Sequence, residues 1–404
     1  MDDHDTTVID GDIYSLDGLD APGAPHPGGH IIDACRGVDA TALFAMHHGP
    51  DSRAHACLRQ QQQRLGRAAN GSTRKSEFYE ELSRRVHRRV GGAPLEAARR
   101  VVRAKAALLL AAIAVLATAH SAGHLAATAV LPYFYYMFAA QIMHEAGHAG
   151  AGGYNRAMRA AAACLGVGGT PRWVYKHLLH HAVTNHAEDP ELSVNSLLRL
   201  HAGQPLRRHH RYMPYYVPLL YAALHLDMFV ENLMPQPARV RGARIHTRGA
   251  WFESHVARFV FAALHVALPL ALGGGVRAVL AELVCFCPAS LLISLLFQVS
   301  HVTDATAHRV GRRADPAEDW ALAQMRDSRD YAPHSSWMTH LTGGLNLQAE
   351  HHLFPAMPHP LLPAVREELV ALCAERGIAC PPAYPTFAEA VRAHYRVIVA
   401  RSSS

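Results

Sequence analysis

Three histidine clusters between residues 144 and 352 carry the residue types and spacings best suited to metal chemistry. They are His144-Glu145-Ala146-Gly147-His148, His177-Leu178-Leu179-His180-His181 and Gln348-Ala349-Glu350-His351-His352. Imidazole is the usual nitrogen ligand for iron, copper and zinc. Seven histidines are too many for one ion, and they suit two ions held close together with positions left open for oxygen chemistry.

The spacing within each cluster matches one face of a helix, where residues i, i+3 and i+4 lie together. His144 and His148 are four residues apart, and the other two clusters have the i, i+3, i+4 pattern. Histidine is abundant, with 30 in 404 residues, so a single pair would carry little weight. Three such clusters predict three helix ends that surround a dinuclear metal site.

Long apolar runs near the clusters predict a polytopic membrane protein. The candidate runs are Ala106–Ala119, Leu125–Met143, Tyr215–Leu226, Val256–Leu272 and Val276–Phe297. We expect two membrane hairpins, with 211–233 along the interface, so that all three clusters face the same side. Arginine concentrated in 84–103 favours a cytosolic position for the segment before the first run.

The remaining composition excludes some classes of protein. The net charge is +6, but no nucleic-acid-binding module accompanies it, so we expect no nucleic-acid partner. The seven cysteines form no paired framework, which predicts reduced thiols. The acidic start, Met1–Asp5, does not resemble a signal peptide.

A second metal signature lies near the N-terminus and resembles the haem-binding core of cytochrome b5. The matching residues are Val8–Leu16, His26-Pro27-Gly28-Gly29, Asp39-Ala40-Thr41 with Phe44, and His47-His48. The resemblance implies a haem b with axial ligands His26 and His48, and His47 is the close alternative to His48. Two histidine ligands leave no open iron position, so such a haem carries electrons and does not activate oxygen.

Together the signatures resemble the cytochrome b5-fused front-end fatty acid desaturases. Trp173 with the second cluster and Asp189-Pro190-Glu191, and Gly343–Pro355 around the third, match that family's boxes. Gln348, in place of the first histidine of the third box, is typical of front-end enzymes. Three features depart from the family pattern: Gly147, the stretch Ser328-Arg329-Asp330, and His340.

The resemblance implies a mostly α fold with about four transmembrane helices, a cytosolic cap and a small N-terminal α+β cytochrome b5-like domain. The expected boundaries are 1–66 for the haem domain, 67–100 for a linker and amphipathic lead-in, and 101–404 for the desaturase domain. It also implies a set of iron ligands, with His301 added to the boxes and Gln348 as a weak or water-mediated ligand. The set is His144, His148, His177, His180, His181, His301, His351 and His352.

The resemblance further implies an oxidoreductase that uses O2 to insert a cis double bond between an existing one and the carboxyl end of an acyl chain. The acyl chain would be carried on CoA or a lipid. Electrons would pass from NADH through cytochrome b5 reductase and the haem. The location would be the endoplasmic reticulum membrane, with both termini and the boxes cytosolic. The bond position stays open among Δ4, Δ5, Δ6 and Δ8.

Three other functions stay open at this stage. A sphingoid long-chain-base Δ8 desaturase shares the haem module and the glutamine of box three. A diiron hydroxylase would use the same site with a redirected oxidant. A non-enzymatic membrane protein that handles haem or metal would place histidines along the depth of several helices, whereas here they gather in boxes.

Overall fold

The computed structural model describes most of the chain. The described residues are 6–16, 32, 35–49, 52–59, 64–68, 75–192, 196–234, 239–240, 243–244, 248–272, 275–313, 315, 317–380 and 383–403. The haem-ligand candidate His26 and the Pro-Gly-Gly turn that follows it lie outside these residues.

Four helices in the described part are long and apolar enough to cross a membrane, as the apolar runs predicted. Their bounds are Ala93–Ser121 (α4), Leu125–Gly147 (α5), Ser254–Ala271 within the helix that begins at Arg248 (α10), and Gly275–His301 (α11). The segment 211–233 forms two short helices, Met213–Ala222 (α8) and Leu224–Leu233 (α9), which are not among the four.

The other helices surround the end of the bundle that carries the boxes. They are Thr41–His47 (α1), Arg53–Arg59 (α2), Glu77–Val90 (α3), Asn155–Cys164 (α6), Pro171–Ala182 (α7), Trp320–Asp327 (α12), Ser336–Thr342 (α13), Gln348–Leu353 (α14), Leu362–Glu375 (α15) and Phe387–Ser403 (α16). Short 3-10 turns lie at Gly152–Tyr154, Arg208–Tyr212 and His359–Leu361.

The N-terminal module, by which we mean the elements from β1 to β3, contains a small antiparallel sheet in the order β1-β2-β3. The strands are Thr6–Ile9 (β1), Asp12–Ser15 (β2) and Arg64–Arg67 (β3), and a separate pair joins Arg239–Val240 (β4) with Ala243–Arg244 (β5). Asp10 and Gly11 make the hairpin turn with positive φ. Helix α2 and strand β3 both lie within the expected haem-domain boundary of 1–66 or at its end, and β3 completes the sheet beside β2.

Helix α3 has the predicted amphipathic character, with Phe78, Leu82 and Val86 buried along one face. The helix begins at a cap, since the Ser76 hydroxyl accepts a hydrogen bond from the Tyr79 backbone N–H. Membrane helix α4 follows after a two-residue turn, so it begins at Ala93, inside the segment expected to be the lead-in.

Two apolar cores position the boxes. One lies between α4, α5 and α11 and includes Leu131, Phe138 and Ile293. The other lies under the box-three segment and joins α3, α12 and α15 around Leu353 and Phe354. The box histidines lie where these two cores meet.

Candidate metal centre

Box one lies at the end of membrane helix α5, where the chain passes through a π-helical turn, Ala139–Met143. His144 lies in the last helical turn and His148 is its C-terminal cap. Their ring centroids are 5.1 Å apart. Gly147 between them is required by packing, because a Cβ there would lie 2.8 Å from the Trp173 ring. This contact explains one departure from the family pattern.

Box two occupies the C-terminal half of α7. The helix begins at Pro171, and the Thr170 hydroxyl accepts a hydrogen bond from the Trp173 N–H at 3.2 Å. Trp173 stacks on His177 with ring centroids 4.6 Å apart. The tryptophan therefore fixes one imidazole of box two and touches the glycine of box one.

Box three lies in α14 and is held by an ion pair between buried Asp330 and partly exposed Arg366. Asp330 accepts a hydrogen bond from the Ala349 N–H at 3.0 Å and forms an ion pair with Arg366. Arg366 also donates to Glu350 at 3.0 Å. Asp330, which sequence comparison marked only as atypical, therefore anchors the box-three helix.

The structure brings the eight predicted histidine ligands together in two buried groups. Within each group the candidate donor atoms lie within 4.8 Å of one another. The first group has five members and the second has three: His144, His148, His177, His181 and His351 in one, and His180, His301 and His352 in the other. Box two therefore contributes to both groups, since His177 and His181 belong to the first and His180 to the second.

Gln348 completes the smaller group. Its Nε2 lies 2.9 Å from His301 Nε2, and its Oε1 is buried without a hydrogen-bond partner. The Gln348 amide therefore lies beside the group of three imidazoles, with a buried oxygen that has no hydrogen-bond partner. Its role as a weak or water-mediated ligand stays a prediction.

Polar residues outside the boxes orient the imidazoles through their second nitrogens. His180 Nδ1 lies 2.9 Å from Asp189 Oδ2, and His352 Nδ1 lies 2.9 Å from Gln324 Oε1. His301 Nδ1 contacts the Asp327 carbonyl at 3.4 Å. Asp189 belongs to a predicted motif, but nothing in the sequence near Gln324 or Asp327 indicated their role.

The donor set fits metal ions. Nε2 atoms of His144, His177, His351 and His352 are buried without hydrogen-bond partners. Burial holds the pKa of His181, His351 and His352 well below its usual range, so these imidazoles are neutral, as metal coordination requires. At His180 burial acts in the same direction, but the Asp189 carboxylate outweighs it and raises the pKa.

The two alternative haem ligands on α1 face different surroundings. The His48 ring lies 4.7 Å from the Phe44 ring, which in turn packs against His55 inside the module. The His47 ring instead lies 5.9 Å from the ring of His148, in the first histidine group.

Glu145, between the two histidines of box one, contacts the segment that follows box three. It is buried and accepts hydrogen bonds from the Nδ1 and the backbone N–H of His359, at 2.6 and 3.1 Å. His359 Nε2 lies 2.9 Å from Lys105 Nζ. Glu145 therefore joins the end of α5 to the segment after box three.

A second buried polar cluster lies among the membrane helices and was not predicted. Glu282 lies 2.5 Å from His265 Nδ1, 3.5 Å from His120 Nε2 and 4.0 Å from His225 Nε2. All four side chains are buried. These histidines belong to no box. In the sequence they could have been recognised only as single polar residues within apolar segments.

Comparison with known proteins agrees with the geometry. The fatty acid desaturase family model matches residues 119–384, which include all three boxes and His301. The chain is 30% identical over 240 residues to an acyl-lipid (8-3)-desaturase of Physcomitrium patens, covering 55% of this chain and 48% of that protein. It is 25% identical over 425 residues to acyl-lipid (8-3)-desaturase B of Dictyostelium discoideum, covering 96% and 89%.

A third relative, an sn-1 linoleoyl-lipid 6-desaturase of Arthrospira platensis, is 26% identical over 239 residues, covering 55% of this chain and 62% of that protein. No solved structure matches the chain. The family match spans well over half of the 404 residues and contains both histidine groups. The chain belongs to the fatty acid desaturase family.

Proposed function

We propose that the chain is a front-end fatty acyl desaturase that inserts a cis double bond on the carboxyl side of an existing one. The observation that carries the proposal is the pair of buried histidine groups, with Gln348 in the smaller group. The matched relatives named as acyl-lipid desaturases support an acyl-lipid substrate.

The eight histidines would hold two irons, five imidazoles around one and three with Gln348 around the other. Two irons so bound supply the chemistry that activates O2 for hydrogen removal. The reaction takes two hydrogens from adjacent methylenes and reduces O2 to two waters with two further electrons and two protons. Asp189, Gln324 and Asp327 hold three of the imidazoles in orientation.

The acyl chain would approach the metal centre along apolar and aromatic side chains. The ring centroids of Phe297 and Trp173 each lie 6.3 Å from that of His144. The His144 side chain is buried, at 1% exposed. An apolar approach suits a substrate without polar groups near the reacting carbons.

The electrons would come from NADH through cytochrome b5 reductase and a haem b in the N-terminal module, with His26 and His48 as axial ligands. His48 is favoured over His47 because it lies beside Phe44, whereas the His47 ring packs near His148 of the first histidine group. His26→Ala and His48→Ala should each abolish haem binding, whereas His47→Ala should keep it. A normal bis-histidine spectrum in purified His26→Ala would reject this assignment.

The location proposed for the enzyme is the endoplasmic reticulum membrane, with the boxes and both termini in the cytosol. The four membrane helices support a multi-pass arrangement. The Arg-rich segment before α4 favours the cytosolic side.

Expression in yeast fed polyunsaturated acids, followed by gas chromatography of the lipids, tests the function. A new, more unsaturated acyl product is expected, and it should be missing in cells that express His352→Ala. An altered sphingoid base with unchanged acyl chains would assign the chain to the long-chain-base enzymes. Metal accumulation without any altered lipid would reject the enzymatic proposal.

A further inference from the structure

Helix α1 of the N-terminal module is built into the core beneath box three. Ala42 and Met46 on α1 share one buried cluster with Leu353 and Phe354, which follow the box-three histidines. Met46 is only 3% exposed. An electron carrier that docks transiently uses a wet, polar surface, whereas this face of α1 is packed like a protein interior.

The module also contacts box two and helix α3. Ala182, the last residue of α7, packs on the module's own core around Tyr14 and Leu43. The Tyr79 hydroxyl on α3 donates a hydrogen bond to the Ala45 carbonyl at 3.0 Å. Contacts to box two, box three and α3 together fix the orientation of α1.

His47, at the end of α1, reaches the metal centre. Its Nδ1 lies 2.9 Å from the Leu43 carbonyl, which fixes the ring orientation. The ring lies 5.9 Å from that of His148, at an interplanar angle of 31°. His148 belongs to the five-histidine group and is 1% exposed.

We propose that the N-terminal module is a fixed cap on the metal centre, seated by Ala42 and Met46, and that His47 is a positioning residue that packs beside His148. The proposal rests on the metal function proposed above but not on whether the module holds haem. It differs from a tethered carrier, which would leave the metal centre between electron transfers.

Cleavage of the linker tests the cap directly. A protease site inserted within residues 69–74 of the full chain is cut after purification in detergent, and the product is passed through size-exclusion chromatography. The released module should stay with the membrane domain. Met46→Asp should make it elute separately, and Leu65→Asp is the matched control, because Leu65 lies in the same module and is 46% exposed. Separation of the unsubstituted module would overturn the proposal.

Access of a chelator to the metal tests the capping role without measuring turnover. Iron should leave Met46→Asp about tenfold faster or more than it leaves the unsubstituted chain, since opening of the cap limits access. Leu65→Asp should release iron at the unsubstituted rate. Equal rates for all three proteins would contradict capping. A purified chain with no bound iron would instead reject the metal function, and the size-exclusion result would still decide the cap.

The role of His47 needs a spectroscopic readout. His47→Ala should keep two non-haem irons per chain but change the Mössbauer quadrupole splitting of one, because the packing beside His148 is lost. His47→Gln, which restores side-chain volume, should move the splitting back. A Mössbauer spectrum of His47→Ala identical to that of the unsubstituted protein would show that His47 does not position His148.

Discussion

The adjacent residues His180 and His181 belong to different histidine groups of the candidate metal centre. On α7, His177 and His181 belong to the five-histidine group, whereas His180 belongs with His301 and His352. The helical spacing predicted that the three would lie on one face, and they do lie within one turn of one another. Asp189, whose Oδ2 lies 2.9 Å from His180 Nδ1, holds the one box-two imidazole that joins the smaller group.

Removal of one imidazole from either group should end catalysis. His181→Ala removes a donor from the larger group and His352→Ala removes one from the smaller group. Both should abolish desaturation while haem absorbance remains, because the proposed haem ligands lie in the N-terminal module and not in either histidine group. The measurement is lipid analysis beside a visible spectrum of the purified protein, and substantial turnover in either variant would reject the ligand set.

Asp189→Asn should separate orientation from ligation. The amide keeps the shape of the side chain but loses the charge that holds His180 through its Nδ1. We expect a loss of about 10- to 100-fold in activity or in iron affinity. Thr184→Ser is a suitable control, since its hydroxyl can still donate to the His180 carbonyl. Full activity and full iron content in Asp189→Asn would show that the contact has no orienting role.

At the scale of helices, the sequence predicted which helices carry the boxes. It did not predict how those helices contact one another. Apolar runs predicted the four membrane helices, because burial in lipid requires length and composition that are visible in the sequence. The π-helical turn before His144 and the docking of α1 were not predicted. The docking of α1 depends on residues far apart in the chain, such as Met46 and Phe354.

The cluster around Glu282 was missed for the same reason. Its members come singly from four helices, so no local spacing marks them. The box histidines were predicted because the helical period brings them together within a few residues. Tertiary contacts such as those of Gln324 and Asp327 could not be inferred from one sequence.

Gly147→Ala tests how the helices around the centre fit. An added Cβ would lie 2.8 Å from the Trp173 ring, which stacks on His177, so the strain reaches both box one and box two. We expect a fall of about 10- to 100-fold in activity, because small displacements of reacting groups are costly. Gly153→Ala is the control, since a Cβ there meets nothing within 4 Å. Equal activity of the two variants would show that the packing tolerates the methyl group.

For the whole molecule, one arrangement in the membrane brings the boxes to the same side. Helices α4 and α5 form one hairpin that ends at box one, and α10 and α11 form a second that ends at His301. If all four helices cross the membrane, the N-terminal module and α16 lie on that side too. The docking of α1 against box two agrees with this arrangement.

Glycosylation tags placed at residues 70 and 385 test this topology in a eukaryotic host. Both should stay unmodified, because both positions are expected to face the cytosol. A tag in the short connection at Ala122-Gly123, between α4 and α5, should be modified and serves as the positive control. Modification of either the first or the last tag would overturn the arrangement.

The position of the new double bond tests the front-end activity most directly. The measurement is mass spectrometry of acyl chains from yeast that express the enzyme and are fed a polyunsaturated acid with known double bonds. The new bond should lie between the carboxyl end and the nearest existing bond, and should be missing with His352→Ala. A new bond on the methyl side of the existing ones, or a hydroxyl group in place of a bond, would contradict this account.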